Sequence, residues 1–295
     1  MRRHPTARIA SGSNSGVQAL AASCRITTMP SNDPLTIDAA TVRGDRLRPL
    51  RYLLRTPLLL LHVVVSLPIT LLLIALPTAR LRLRGERVDH RAIRAWSTGL
   101  LRIFGFSLRR VGAPSHDATL FVANHISWID ITLMHSQHAM GFVAKDEISR
   151  WPLIGWLASR AGTIYHRRGS DHSLRDVMEQ MVARLRAGFA VGVFPEGSTG
   201  DGRVLRVFHA RILQTAVDAD VPVQPVALRY GDGGNAQTII AFAPGEPFVH
   251  NFLRLLGGPG RVAEVHFLEP FAAVAGGRRG MAELARARIA EALTT

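Results

Sequence analysis

Short apolar segments alternate with segments of helical periodicity from about residue 111 to the C-terminus, and this alternation constrains the fold most strongly. Strands are predicted at residues 118–123, 141–145, 162–166, 189–194, 221–229, 238–243 and 261–268. Helices are predicted at residues 127–137, 147–159, 172–187, 207–219 and 279–293. This pattern is typical of an α/β domain with a mainly parallel sheet flanked by helices, here over residues 111–295.

Residues 56–77 contain no charged side chain, which places a second constraint on the chain. A helix of about 20 residues spans roughly 30 Å, enough for the hydrocarbon core of a bilayer. Pro68 predicts a kink, and arginines on both sides leave the direction of insertion open. Residues 89–106 predict a second helix with a basic polar face, suited to a membrane interface. We therefore expect a membrane-associated helical segment over residues 46–110; helices packed within the protein are the alternative.

Residues 1–45 are rich in Ser, Thr, Ala, Arg and Pro and lack a periodic pattern. They predict a disordered N-terminal segment. Met29 is an alternative start, so the hypothesis is that residues 1–28 do not belong to the natural product. A peptide of the native protein that begins upstream of Met29 would refute it.

The formal net charge of +14 predicts an anionic partner, such as a membrane surface or an acidic substrate. Lys145 is the only lysine among the 36 basic residues, and arginine binds phosphate and carboxylate groups bidentately. The sequence contains no helix-turn-helix, zinc-finger or RNA-binding signature, which argues against nucleic acid as the partner. Its single cysteine, Cys24, excludes an internal disulfide and a thiolate metal cluster.

His125 and Asp130 follow the predicted strand 118–123 at the point where a helix begins. Open α/β sheets bind their ligands at such strand ends. An aspartate five positions after a histidine can reach back across the first helical turn and hold one imidazole nitrogen, which leaves the other nitrogen free as a base near neutral pH. The structural alternative is a capping box of Ser127 and Asp130, with His125 an ordinary loop residue.

Two further predicted strands also end in charged residues. Glu196 and Gly197 follow strand 189–194, and the glycine allows a tight turn or the close approach of a ligand. Arg167 and Arg168 follow strand 162–166, where paired arginines suit a phosphate group. Taken alone, each of these segments is equally typical of an exposed turn or a solvated strand edge.

Together, these segments resemble the glycerolipid acyltransferase family, in particular the 1-acylglycerol-3-phosphate acyltransferases. The resemblance covers roughly residues 118–230. Asn124, His125 and Asp130 match the first sequence block of the family. The later blocks are matched, in the same order and each at a strand end, by residues 142–145 with 162–168, 194–197 and 221–225.

The third block departs from the family pattern. Ser198 and Thr199 follow Gly197 where the family has Thr-Arg, so an arginine credited with phosphate contact is missing. A later Phe-Lys segment is likewise replaced by Phe208-His209. Three nearby arginines are candidates to supply the missing charge: Arg203, Arg206 and Arg211. These changes are more similar to the branch of the family that includes lyso-ornithine lipid acyltransferases.

The resemblance implies transfer of a fatty acyl group from acyl-CoA or acyl-acyl carrier protein to the hydroxyl of a lysolipid, without a cofactor or a metal. The implied acceptor is 1-acyl-sn-glycerol-3-phosphate, which gives phosphatidic acid; lyso-ornithine lipid is the alternative. His125 is the implied general base and Asp130 orients it. The residues implied to contact the acceptor are Asn124, Lys145, Arg168, Glu196 and Gly197. Because the thioester donors are cytoplasmic, we expect a site that faces the cytoplasm from the inner membrane, in contact with membrane lipids.

The sequence also bears on three other classes of protein. A serine hydrolase is disfavoured because the sequence has no Gly-x-Ser-x-Gly elbow. A metalloenzyme would have to use His135 and His138, whose spacing is loose and which are not part of a His-Glu-x-x-His helix. A non-catalytic membrane-binding protein stays open, and a His125→Ala variant distinguishes it, since a scaffold would keep its function.

Overall fold

The computed structural model describes residues 45–76, 81–83, 85–150, 155, 162–166, 171–272 and 276–294. Except for Asp45, the predicted disordered segment lies outside the described residues, and so does Cys24. Within these ranges the strands are β1 (Arg82–Leu83), β2 (Glu86–Arg87), β3 (Phe106–Val111), β4 (Leu120–Ala123), β5 (Gly141–Lys145), β6 (Ile164–His166), β7 (Val191–Val193), β8 (Val223–Tyr230) and β9 (Arg261–Phe267).

Seven of these strands form one sheet in the order β3-β9-β8-β4-β7-β5-β6, while β1 and β2 form a separate hairpin. The pairing of β8 with β9 is antiparallel, and the other pairings within the seven-stranded sheet are parallel. The prediction of a mainly parallel sheet is therefore confirmed. β4 lies between β7 and β8 and is buried along its whole length, as expected of a central strand covered on both faces.

The described helices are α1 (Arg48–Ala75), α2 (Val88–Ile103), α3 (Ile129–Gln137), α4 (Asp146–Ser149), α5 (Asp171–Arg186), α6 (Gln214–Ala219), α7 (Gln237–Ile240), α8 (Phe248–Leu256) and α9 (Gly277–Thr294). They cover both faces of the sheet. Phe121 of β4 packs in a core cluster with residues of α2, α3 and α8, whereas Leu120 and Val122 pack with residues of α5, α6 and α9. This division follows from the alternation of side chains along a strand.

The prediction of a strand at residues 238–243 is wrong. Gln237–Ile240 form the short helix α7 instead, and Ile240 and Ala241 are buried in the core. A short buried apolar run is compatible with a helix and with a strand, since it contains too few residues to reveal a period. Beyond α4, the predicted helix 147–159 is described only at Arg150, which lies in a turn, and at Gly155.

β3 and α8 were not predicted, and neither was the hairpin of β1 and β2. The predicted helix over residues 89–106 ends at Ile103, and β3 then joins the sheet beside β9, across the predicted segment boundary at residues 110 and 111. Phe106 was assigned to the preceding helix, and the apolar alternation that remains, over residues 107–109, is too short to reveal a strand. Pro247 is the N-cap residue of α8, and its backbone is extended.

α1 is long and apolar enough to cross a membrane by length and composition, and it is the single helix of this kind among the described residues. A π-helical turn over His62–Ser66 lies directly before Leu67 and Pro68. Proline cannot donate the backbone hydrogen bond of a regular helix and its ring clashes with the preceding turn, and a wider turn relieves both problems. The predicted irregularity at Pro68 therefore takes the form of a π-turn.

One face of α1 docks on the C-terminal end of α8. Arg55 donates to the carbonyl oxygens of Leu256 at 2.8 Å and Gly258 at 2.7 Å, and the Tyr52 hydroxyl donates to that of Leu253 at 2.8 Å. Arginines that were predicted to flank the apolar helix thus lie within it, because they satisfy carbonyl groups left unpaired at the end of α8. The opposite face of α1 is exposed and apolar; Leu53, for example, is 70% exposed.

Two histidines at the end of α3 predict a loss of stability in acid. Burial lowers the pKa of His135 and of His138 to about 4, and neighbouring positive groups add to this effect. Unfolding therefore takes up protons as the pH falls below about 6.5, so each neutral histidine costs roughly 2 kcal/mol of unfolding free energy by pH 4.5. Denaturant titrations at pH 7.5 and pH 4.5 measure this loss. A His135→Gln variant should lose less, and the control His250→Gln, at an exposed position on α8, should behave as the wild type; equal losses in all three proteins would contradict the prediction.

Candidate active site

The carboxyl ends of β4, β7 and β8 meet at one edge of the sheet, because these strands are parallel neighbours. The loop after β4 carries His125, the loop after β7 carries Glu196, and Tyr230 ends β8. Asp130 lies in the first turn of α3. The sheet therefore brings together His125, Asp130 and Glu196, which were singled out from the sequence, and adds Tyr230 to them.

His125 and Asp130 form a hydrogen-bonded dyad. His125 Nδ1 lies 2.8 Å from Asp130 Oδ2, and the carboxylate is fully buried while the imidazole side chain is 16% exposed. Since an ionised carboxylate can only accept, it fixes the proton on Nδ1 and leaves Nε2 with a lone pair. No described residue hydrogen-bonds to Nε2. The arrangement is that of a general base with its orienting acid.

The carboxylate of Asp130 also caps the start of the helix. Its Oδ2 accepts from the backbone N–H groups of Ile126 at 2.7 Å and Ser127 at 2.8 Å. The Ser127 hydroxyl is buried and has no partner among the described residues, so the capping box forms only on the side of the aspartate. The capping contact and the contact with His125 coexist on one oxygen, and the cap holds the carboxylate where it meets the imidazole.

Phe194, which directly follows β7, supports the imidazole, and Phe142 of β5 supports Phe194 in turn. The His125 ring stacks on Phe194 with a centroid distance of 4.0 Å and an interplanar angle of 15°. The Phe142 ring stacks on the Phe194 ring, with a centroid distance of 5.5 Å and an interplanar angle of 8°. The stack restricts rotation of the imidazole about its own axis and excludes water from one of its faces, so the free nitrogen keeps one direction.

Glu196 ties the loops of the site together. One carboxylate oxygen accepts from the His125 N–H at 2.7 Å and the other accepts from the Arg206 N–H at 3.1 Å. Burial raises the pKa of Glu196 above its usual value, although these backbone bonds oppose the effect. Gly197 has a φ of +75°, which glycine adopts without strain, and a Cβ there would lie 3.2 Å from the His209 ring. Both residues therefore shape the loop beside His125.

The other residues implied to contact the acceptor have different placements. Asn124 is buried, and its amide both donates to the Leu228 carbonyl at 3.0 Å and accepts from the Leu228 N–H at 2.8 Å, which joins the loop after β4 to β8. The backbone of Lys145 ends β5, but its side chain is outside the described part of the chain, and so is Arg168. Contact of these three residues with the acceptor stays a prediction.

Three contributors to the site were not predicted as part of it: Tyr230, Phe194 as a ring partner, and Arg206 at a defined place. Tyr230 donates to Asp130 Oδ1 at 2.5 Å. The guanidinium group of Arg206 hydrogen-bonds the Ser198 hydroxyl. Phe194 and Tyr230 share the signal that identified His125 and Glu196, since both stand where a buried parallel strand ends.

Comparison with known proteins shows which family the chain resembles. The family model described as Acyltransferase matches residues 110–229. The chain is 37% identical over 224 residues to the lyso-ornithine lipid O-acyltransferase of Pseudomonas aeruginosa, covering 75% of this chain and 85% of that protein. It is 37% identical over 152 residues to the 1-acyl-sn-glycerol-3-phosphate acyltransferase of Neisseria gonorrhoeae, covering 50% of this chain and 59% of that protein.

A solved structure shares the fold. The crystal structure of the 1-acyl-sn-glycerophosphate acyltransferase from Thermotoga maritima superposes with a TM-score of 0.61 and 22% sequence identity, covering 84% of this chain and 98% of that one. The fold and the matches together define an O-acyltransferase. The chain belongs to the glycerolipid acyltransferase family, as the resemblance of its sequence blocks predicted.

Proposed function

We propose that the protein moves a fatty acyl group from a thioester donor, acyl-CoA or acyl-acyl carrier protein, to the free hydroxyl of a lysolipid at the inner membrane. The observation that carries this proposal is the dyad of His125 and Asp130, which is joined by a 2.8 Å hydrogen bond. No described residue hydrogen-bonds to the other ring nitrogen of His125, Nε2. A hydroxyl is a poor nucleophile at neutral pH, and such a base removes its proton as it attacks.

The reaction needs no covalent enzyme intermediate. His125 Nε2 takes the proton of the acceptor hydroxyl while the hydroxyl oxygen attacks the thioester carbonyl, and Asp130 stabilises the imidazolium that forms. Collapse of the tetrahedral intermediate breaks the C–S bond, and the imidazolium returns its proton to the departing thiolate. Holding donor and acceptor side by side supplies much of the rate, because a bimolecular step becomes effectively unimolecular.

The acceptor that the relatives favour is lyso-ornithine lipid. The Pseudomonas aeruginosa enzyme that bears this name is similar over most of both chains, and Ser198-Thr199 departs from the pattern of the phosphate-binding branch. 1-Acyl-sn-glycerol-3-phosphate is the second candidate, supported by the relative from Neisseria gonorrhoeae. Purified protein in detergent, given labelled acyl-CoA and one acceptor at a time, separates the two. Acylation of neither acceptor, with either thioester donor, would contradict the proposal.

Arg206 is the candidate contact for the anionic group of the acceptor. Its guanidinium group hydrogen-bonds the Ser198 hydroxyl. The arginine of the family pattern would stand at the next position, which is Thr199 in this chain. A carbon added at Gly200 would lie 3.6 Å from Glu196 Oε2 and 3.8 Å from Arg206 Cδ. It would also lie 3.6 Å from the His125 carbonyl oxygen. The arginine therefore stands beside the catalytic loop, and its planar donors suit a carboxylate or a phosphate.

An Arg206→Ala variant should raise the KM for the acceptor about tenfold and change kcat little, because an ionic hydrogen bond to the bound lipid is lost. Steady-state assays with varied acceptor at fixed donor measure this change. Arg203→Ala is the matched control, since Arg203 is exposed on the same loop, and its KM should change by less than about twofold. Equal effects of the two variants would show that the loop contributes only general positive charge.

The exposed apolar face of α1 supports attachment to the membrane. A lysolipid acceptor and its product both reside in the bilayer, so an apolar helix packed on the catalytic domain keeps the active site beside its substrate. The formal net charge of +14 suits anionic head groups. Because acyl-CoA and acyl carrier protein are cytoplasmic, the catalytic domain faces the cytoplasm.

A further inference from the structure

Tyr230 is a buried residue in direct contact with the orienting acid of the dyad. It ends β8, the strand next to β4, and its side chain has no exposed surface. Its hydroxyl lies 2.5 Å from Asp130 Oδ1, and its ring packs edge-on against Phe106 with a centroid distance of 6.1 Å. The mechanism derived above uses Asp130 but assigns no part to this tyrosine.

The direction of this hydrogen bond follows from the chemistry of its partners. An ionised carboxylate can only accept, so the tyrosine donates. Burial raises the pKa of the Tyr230 hydroxyl well above its usual value of 10.0, and the charge of Asp130 raises it further, so the hydroxyl keeps its proton at any pH at which the enzyme works. The donor is therefore permanent.

The four hydrogen bonds of the Asp130 carboxylate are divided unequally. Oδ2 accepts from His125 Nδ1 and from two backbone N–H groups, whereas Oδ1 accepts from Tyr230. A carboxylate that rotates about its Cβ–Cγ bond would misplace Oδ2, and the tyrosine opposes that rotation from the other side. Its donated hydrogen bond also withdraws negative charge from the carboxylate, which weakens the stabilisation of a protonated His125.

We propose that Tyr230 is a positioning residue for acyl transfer, which fixes the plane of the Asp130 carboxylate and limits how strongly that carboxylate holds His125 in the protonated form. The inference rests on the proposed role of His125 as the base. A base works only while it is neutral. Without this hydrogen bond, Asp130 would hold the protonated form of His125 more strongly.

The charged groups around the imidazole are few among the described residues. Asp130 faces it from α3, and Glu196, from the loop after β7, contacts the backbone N–H of His125. Arg206 lies beside the same loop next to Gly200, and the His209 ring lies next to Gly197. Tyr230 contacts His125 only through Asp130. A Tyr230→Phe variant removes one hydroxyl and leaves both carboxylates in place, so a change in its pH profile reports the lost hydrogen bond.

The test is the dependence of kcat/KM on pH for the full-length protein in detergent, as wild type, Tyr230→Phe and Phe106→Leu. In the Tyr230→Phe variant the acidic limb should move to higher pH by about half a unit to one unit, and the plateau should fall by about tenfold or less. Phe106→Leu disturbs the same ring but keeps the hydroxyl, so its acidic limb should coincide with that of the wild type. Coincident limbs for all three proteins would overturn the inference.

A second measurement does not depend on substrate. The ring protons of His125 can be followed by NMR as the pH changes, with the signal assigned from its loss in His125→Ala. The titration midpoint should move in the same direction and by the same amount in Tyr230→Phe, and an unmoved midpoint would overturn the inference. A wild-type protein that acylates no lysolipid would instead refute the proposed function, so the two failures are distinguishable.

Discussion

The His125→Ala variant is expected to lose acyl transfer by at least about a thousandfold in kcat/KM, because the group that removes the proton of the acceptor hydroxyl is gone. The fold should survive, since the side chain has one hydrogen bond, to Asp130, and stacks on Phe194 at the mouth of the site. Initial rates with labelled acyl-CoA measure the loss, and a thermal melt checks the fold.

His250→Ala is the matched control for this variant, because His250 is exposed on α8 and takes no part in the dyad. Its rate should equal that of the wild type. A His125→Ala protein that melts normally and still acylates the lysolipid would assign the base to another residue. If wild type and variant both bind membranes and neither transfers an acyl group, the result would favour a non-catalytic membrane-binding protein.

Asp130→Asn should lower kcat/KM by about a hundredfold to ten-thousandfold while the protein stays folded. The amide can keep its oxygen toward the two backbone N–H groups of the helix start and donate its N–H to the oxygen of Tyr230. The contacts of the side chain are then kept, with the direction of the tyrosine bond reversed. What is lost is the negative charge that stabilises the imidazolium of His125. The rate is measured as for His125, together with the free energy of unfolding.

Asp130→Ala provides the contrast. It leaves the Tyr230 hydroxyl and two backbone N–H groups buried without an acceptor, at a cost of about 3 kcal/mol or more in unfolding free energy. Asp218→Asn is the control, since Asp218 is exposed and bonds only to Gln214 through its side chain among the described residues. If Asp130→Asn retained full activity, the dyad would not be the source of catalysis.

Two of the strand ends in the α/β domain could be predicted, because the sequence shows the same pattern at both. At 119–125 and at 191–196 a buried apolar run stops at polar residues, and parallel strands place such ends along one edge. His125 and Glu196 were each predicted to follow a strand end for this reason, although nothing in the sequence indicated that both Glu196 oxygens bind backbone N–H groups. Local pattern gives the place of a residue more readily than its partners.

The contacts that could not be predicted join residues far apart in the chain. Tyr230 reaches Asp130 because β8 lies next to β4, and that neighbour relation is a property of the sheet order rather than of either segment. Arg55 satisfies carbonyl groups at the end of α8, a helix that the sequence did not reveal. The strand predicted at residues 238–243 was wrong for a related reason, since a short buried helix has as many apolar residues as a buried strand.

A rapid-quench experiment with purified wild-type protein, a labelled acyl thioester and a lysolipid tests the central claim most directly. Direct transfer with His125 as the base predicts that labelled product appears at the rate at which the thioester disappears, with no label bound to protein at any time. Without acceptor, the thioester should persist. Label that accumulates on the protein before the product forms, or a thioester that is consumed without any acylated lysolipid, would contradict the account.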